Sequence, residues 1–382
     1  MLKEFFLGLL GGTLSGVTPA LHVNTLGALL SKLNTGFGSF EFVLLVYVMG
    51  LTHTFLDAIP STFLGVPEED TSLSVLPAHK LVLQGKGLEV INIALTSSML
   101  AVLFSIPLIP IYSTIASLYK PEIGKLFVLI LAIFLILTEK GIKKLYALLI
   151  FLFAGTLGIL IDELPLKEPY FHIFVGLFGV PAILLGMKSK KVEIGDERIE
   201  MSKWSILGFS LLGTFLGALA SLLPAFTSSQ AALIGSFFSK EERSFLTIVF
   251  SVNTANFFFS MENFYLTERA RNGILILVKE AYPILNQNEF LMLVLSSLAT
   301  AFVVVAYGLG LTKILGGVML KVDYKKLSLG TLAFIAILSL YFDGILGLFI
   351  LSAASLIGYT AVVLGVKRTN CMGVLMLKIL IK

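Results

Sequence analysis

Apolar residues along this chain run in long blocks, and polar residues gather in short clusters between them. The blocks predicted to be helices cover residues 40–63, 88–118, 123–138, 145–164, 170–187, 244–264, 289–315, 327–341 and 345–366, with a shorter one at 372–381. A spanning helix needs about 20 residues, and most of these blocks reach or approach that length. The strict alternation of a membrane barrel strand is missing, so the spans are expected to be helical.

Two of the interruptions are copies of each other. Near the start, Gly8, Gly12 and Gly16 stripe an apolar helix that runs into Thr18, Pro19, His22, Asn24 and Thr25. In the middle, Gly213, Gly217 and Ser221 lead into Pro224, Thr227, Ser228, Ser229 and Gln230. Pro19 and Pro224 are 224 − 19 = 205 positions apart. Proline removes a backbone donor and ends the helix, leaving backbone groups that lipid cannot satisfy, so each break must face protein or a polar cavity. A half-helix starting after such a break aims a partly positive N-terminus inward, where N–H groups and hydroxyls suit an anion. The glycines by themselves need mean only close helix packing. Further on, residues 51–55 can be laid on 253–257, which brings Thr52, His53, Thr54 and Asp57 into correspondence with Asn253, Thr254 and Asn256. His53 and Asp57 are four apart, on one helical face, where they can pair or relay a proton. Uncharged Asn and Thr oxygens suit sodium. These residues are the candidates for an ion-coupling site, with a simple structural pairing as the alternative. Asp343, before Gly344, is expected to cap a turn between two spans.

The expected fold is therefore an all-α polytopic membrane protein of two inverted repeats. Each repeat is a proline-broken re-entrant hairpin plus about five transmembrane helices. The first repeat covers residues 1–187, a basic cytoplasmic linker 188–203, and the second repeat 204–382. Loop charge supports the inversion. With the linker inside, Lys140, Lys143 and Lys144 also fall inside and Asp162-Glu163 outside. Lys321, Lys325 and Lys326 precede the span at 327–341, whereas the basic cluster of the first half follows its counterpart.

Composition narrows the class. Hydrophobic residues make up 57% of the 382 residues, charged residues 14%, and mean hydropathy is +0.95. Soluble chains carry roughly 25% charge, so this is a multi-pass protein of the plasma membrane. The net charge of +4 is spread over the connecting loops, a pattern that fits cytoplasmic loop charge better than a nucleic-acid-binding face. A single cysteine, Cys371, excludes a disulfide framework or thiolate metal site. No zinc-protease His-Glu-x-x-His is present and Ser228-Ser229 has no base in its half, so an enzyme is not expected. No cofactor is expected beyond sodium or a proton as coupling ion. The partners expected are a small anionic substrate and membrane lipid, with a homodimer left open.

A third element reads Leu64-Gly65-Val66-Pro67-Glu68-Glu69-Asp70-Thr71, then Leu76-Pro77-Ala78-His79-Lys80 and Gln84-Gly85-Lys86-Gly87. With the two glycine-striped helices ending at Ala20 and Ala225, it resembles the large membrane subunit of the tripartite tricarboxylate transporters, over most of the chain. Both turns read Pro-Ala where that family has Pro-Gly, and Glu68 stands where it has glycine. The resemblance implies a secondary transporter in which Pro67, Glu68, Glu69 and Thr71 form a family-motif loop. It also implies a small membrane subunit and an extracytoplasmic binding protein. A carrier of polyprenyl-phosphate-type lipid is the alternative, because a phosphate headgroup suits the same helix N-termini.

Overall fold

The computed structural model describes residues 1–18, 23–32, 39–66, 71–118, 121–186, 195–223, 228–238, 241–270, 272–319 and 324–381, and every regular element among them is helical. In the first half these are α1 (Leu2–Val17), α2 (Val23–Lys32), α3 (Ser39–Leu56), α4 (Ala58–Leu64), α5 (Val75–Leu83), α6 (Gly87–Leu118), α7 (Pro121–Leu137), α8 (Lys143–Leu160), α9 (Pro169–Phe174) and α10 (Val180–Gly186). The second half holds α11 (Lys203–Leu222), α12 (Ser228–Gly235), α13 (Glu242–Thr267), α14 (Gly273–Ala281), α15 (Gln287–Met319), α16 (Tyr324–Val363) and α17 (Gly373–Ile381). Among the described residues, seven helices or helix pairs are long and apolar enough to cross a membrane. α3–α4 and α13 are almost wholly buried at the centre, whereas α7, α8, α15 and α16 turn large apolar side chains such as Ile130, Phe153, Phe302 and Phe349 outward.

Glycine sets the register in which each striped helix lies on the central helix of its own half. A Cβ on Gly8 would come within 2.8 Å of Val48 Cβ, and one on Gly12 within 2.4 Å of Met49 O. In the second half, Gly213 would meet Ser251 Cβ at 2.6 Å and Gly217 would meet Val252 O at 2.7 Å. The partners Val48/Ser251 and Met49/Val252 are each 203 apart. The residue pairs rise together, so α1 runs parallel to α3 and α11 parallel to α13. Tyr47 stacks on Phe257 at 5.5 Å while Asp57 meets Asn253, so α3 and α13 run antiparallel to one another.

The outer helices are exchanged between the halves. α9 and α10 pack on α16, and α17 packs on α8. Backbone touches backbone in both places: a Cβ on Gly358 would lie 2.1 Å from Leu177 O, and one on Gly158 would lie 1.9 Å from Val374 O. Each exchanged segment is tied at its start by a carboxylate from the other half. Asp343 Oδ2 accepts from the Glu168 N–H at 3.0 Å, and Glu139 Oε1 accepts from the Lys367 N–H at 2.8 Å. Asp343 sits where α16 breaks, before Gly344 at φ +61, so the expected turn between two spans is present. His172 completes that corner, with Nε2 2.8 Å from Asp343 Oδ2 and Nδ1 3.1 Å from Ser339 Oγ.

Candidate functional site

The polar groups of the central helices gather along the α3–α13 crossing. Proline at 60 cannot donate to the Leu56 carbonyl, so the helix is interrupted at Asp57 between α3 and α4. Asp57, 2% exposed, accepts from Asn253 Nδ2 at 2.9 Å. The Thr54 and Thr254 hydroxyls are 3.3 Å apart, and His53 Nδ1 lies 3.0 Å from Ser15 Oγ of α1. Thr52 Oγ1 is buried without a hydrogen-bond partner among the described residues. A buried polar atom left unpaired costs about 1–3 kcal/mol.

A second polar cluster surrounds the start of α12. Ser228 and Ser229 are fully buried. Asn256 Nδ2 donates to Ser228 Oγ at 2.9 Å, and Ser229 Oγ lies 2.9 Å from Ser72 Oγ. Ser72 belongs to the first half, in the 3-10 turn Ser72–Ser74 that leads into α5, so the tip is held between the halves. Thr71, beside it, is buried, and its Oγ1 has no partner among the described residues. The corresponding tip in the first half meets the second half: Asn24 at the start of α2 packs on Gly273, where a Cβ would lie 2.4 Å from Asn24 Cγ. Asn272 caps α14 there by accepting from the Leu275 N–H at 2.9 Å.

A cleft of about 360 Å³ reaches the Ser72 side of the α12 cluster; Pro77, Glu242, Phe245, Lys367 and Arg368 also line it. Glu242 in its lining pairs with Lys80. Close by, Arg243 forks onto Glu89 (Nε–Oε1 2.7 Å, Nη2–Oε2 3.0 Å) and reaches Glu200 at 2.9 Å, fastening residues 195–202 to the start of α6. The Lys86 ammonium hydrogen-bonded to Glu200 holds that carboxyl below its usual range. Arg368 donates to the carbonyls of Leu177 (3.0 Å) and Phe178, in the π-turn Val175–Gly179. Burial pushes its guanidinium down to about 10, so it remains charged at neutral pH.

Of the residues expected from the sequence, the structure joins Asp57 with Asn253, Thr54 with Thr254, and Ser228 with Asn256. Thr18 is exposed, its N–H donating to Leu14 O at 3.2 Å. Pro19, His22, Pro67, Glu68, Glu69, Pro224 and Thr227 lie outside the described residues, as do the side chains of Thr25 and Gln230. No group of three His, Cys, Asp or Glu side chains that could hold a metal ion occurs among the described residues. Ser72, Arg368 and Glu262 were not singled out from the sequence. Glu262 alone left a signal there, as an isolated acid in a hydrophobic span.

The model of the tripartite tricarboxylate transporter TctA family matches residues 3–373. An uncharacterized protein of Methanocaldococcus jannaschii is 28% identical over 341 residues, covering 86% of this chain and 84% of that protein. No solved structure matches the chain. With a match over nearly its whole length, carried on seven membrane-length apolar helices, this chain belongs to the tripartite tricarboxylate transporter TctA family of integral membrane transport proteins.

Proposed function

We propose that the protein is the permease of a secondary active transporter for a small carboxylate or related organic anion, with substrate held at the start of α12. The observation that carries this reading is the buried cluster of Ser228, Ser229, Ser72 and Asn256 at a helix N-terminus, assembled from both halves. The partly positive end of a helix attracts negative charge, and hydroxyl and amide donors orient it without a competing fixed charge. Thr18, Pro19, His22, Asn24 and Thr25 would contribute from the first tip, and Pro224, Thr227 and Gln230 from the second. The motif residues Pro67, Glu68, Glu69 and Thr71 precede Ser72 and would close the cluster from the loop side. The parallel pairing of α1 with α3 and of α11 with α13, set against the antiparallel crossing of α3 and α13, supports inverted halves with hairpins opening to opposite sides. The cleft that reaches Ser72 would then be the cytoplasmic approach in an alternating-access cycle.

Thr52, His53, Asp57, Asn253, Thr254 and Asn256 would tune a proton or sodium site beside the substrate, the first half supplying the groups that titrate. A small membrane subunit and an extracytoplasmic binding protein, as the tripartite family name implies, would deliver substrate from outside.

The test is thermal stabilisation of purified protein across di- and tricarboxylates and isoprenyl phosphates, with and without sodium. A carboxylate is expected to raise the midpoint of wild-type protein, and Ser229→Ala and Ser72→Ala to lose that rise while unfolding normally without ligand. Stabilisation by isoprenyl phosphates alone would replace the carboxylate reading with a lipid carrier. An unchanged rise in both variants would remove the substrate from the α12 tip.

A further inference from the structure

Glu262 lies in α13, 1% exposed, inside a membrane-length apolar helix. It forms no ion pair among the described residues. Ser113 Oγ of α6 is 3.1 Å from Glu262 Oε1, and Oε2 is buried with no hydrogen-bond partner. An ionised carboxylate with one neutral contact is expensive in such surroundings, and an acid in a membrane span is by default a functional group.

The hydroxyl geometry favours the neutral acid. Ser113 Oγ is also 3.0 Å from the Ile109 carbonyl, and a serine hydroxyl has one proton to give. If Glu262 is ionised, Ser113 must turn its proton from Ile109 to Oε1. If Glu262 carries a proton on Oε1, it donates to Ser113 Oγ, and Ser113 donates to Ile109 O. The chain Glu262, Ser113, Ile109 O is then satisfied, and the remaining orphan is an uncharged carbonyl oxygen.

The surroundings connect this acid to the second hairpin. One residue on, Asn263 Nδ2 donates to Ser221 O at 3.4 Å, near the end of α11; one residue before Ser113, Tyr112 OH is 2.8 Å from Ser221 Oγ. The α6–α13 contact made by Glu262 therefore sits beside the contacts of both helices with the last turn before Leu223. Other titratable groups on the packed elements hold other partners: His53 Nδ1 of α3 lies 3.0 Å from Ser15 Oγ, and Glu89 of α6 is forked by Arg243. Tyr47 of α3 is bonded to Ser297 at 2.8 Å. Tyr265, on α13 itself, stacks on Phe290 of α15. α12 has no titratable side chain, and α11 has only Lys203 at its far end. His79 and Lys80 of α5 lie toward the opposite end of α13, where Lys80 pairs with Glu242. Lys279 of α14 bonds Glu268 O, and Glu289 of α15 bonds Tyr282.

We propose that Glu262 is a proton-binding site of the transport cycle: it holds a proton when α6 and α13 are closed on the end of α11, and releases it when they part. On release the O–H bond breaks, the proton passes to water and the negative charge stays on the Glu262 carboxylate; no bond to carbon changes. The proposal rests on the transporter reading for its role in the cycle, whereas the proton itself can be observed without transport.

The experiment pairs infrared difference spectroscopy over a pH titration with uptake into proteoliposomes. Wild-type protein is expected to show the carbonyl stretch of a protonated carboxyl at neutral pH. Glu262→Gln should lose that band, and Ser113→Ala should shift it by removing its hydrogen-bond partner. Glu262→Gln should also lose acceleration of uptake by an inward proton gradient while keeping substrate exchange between the two sides at zero gradient. Absence of the band at neutral pH, or its persistence in Glu262→Gln, overturns the proton site. Loss of the band with unchanged proton-driven uptake overturns its role in the cycle. If wild-type vesicles take up no carboxylate, the transporter reading fails, and the infrared titration still decides whether Glu262 binds a proton.

Discussion

The central helices of the two halves occupy equivalent places on their glycine-striped neighbours but hold their buried acids in different ways. The common offset of 203 lays Asp57 on Ser260, Ile59 on Glu262 and Pro60 on Asn263. In the first half, proline interrupts the helix, and the acid at the break is met by an amide from across the interface. In the second half the helix continues, and its acid, Glu262, is met by one shared hydroxyl. The glycine packing is shared and the chemistry is not. Glycines that allow backbone contact preserve the packing, and a few substitutions along the central helices give each half its own ionisable group.

That comparison is most severely tested at the glycines. Gly12→Val and Gly217→Val would each drive a side chain into the backbone of the adjacent helix. Both are expected to lose about 3 kcal/mol and to lower the thermal midpoint by similar amounts. Gly208→Ala, which meets nothing within 4 Å, should leave it unchanged or slightly raised. Cys371, the single cysteine and fully buried, gives the readout through a thiol-reactive dye that responds on unfolding. If only one valine variant were harmful, the halves would not share a packing scheme.

Smaller effects separate the two acids. Asn253→Ala strips an amide donor from Asp57 and is expected to cost about 2 kcal/mol. Ser113→Ala takes one hydroxyl from a neutral Glu262 and should cost about 1 kcal/mol. The reverse order in the same melting assay would mean that Glu262 is the ion and Asp57 the better tolerated of the two. The smallest effect lies at the linker. The folded-state pKa of Glu200 is lowered, so its contribution is present above the ordinary carboxyl value of 4.5 and fades as pH falls through the lower folded value. Glu200→Gln should therefore flatten the acid limb of the midpoint-versus-pH curve and leave the neutral region nearly unchanged.

Much of the fold was legible because a membrane imposes length. Runs such as 88–118 could only be long apolar helices, and α6 covers Gly87–Leu118. The short α5 and α14 were missed, since nine residues of mixed character carry no such signal. The first arm of the second hairpin was expected as a half-helix. α11 instead runs for 20 residues, a length of about 30 Å, because its glycine stripe can follow α13 through several turns. Matching polar residues suggested an offset of 202 for the seam, and packing sets it at 203. One residue turns a helix by about 100°, so Thr52 corresponds to Ala255 and His53 to Asn256. Similar polar letters misled there because register is fixed by the glycines against Val48, Met49 and Thr52 in one half and Ser251, Val252 and Ala255 in the other. Asp57, Asn253, Ser228 and Ser229 were visible beside their prolines or repeats. Ser72 was not, since its place beside Ser229 arises only when the halves meet.

The proposed inverted course of the α1–α2 and α11–α12 segments is tested most directly by thiol labelling in sealed, oriented vesicles with a membrane-impermeant reagent. Cysteines replace Lys3, Ser202 and Phe238 one at a time, each exposed in the structure. Ser202→Cys and Phe238→Cys should label from the cytoplasmic side, one at each end of the α11–α12 hairpin, and Lys3→Cys from the outside. Labelling of Ser202→Cys and Phe238→Cys from opposite sides, or of all three from one side, would contradict it.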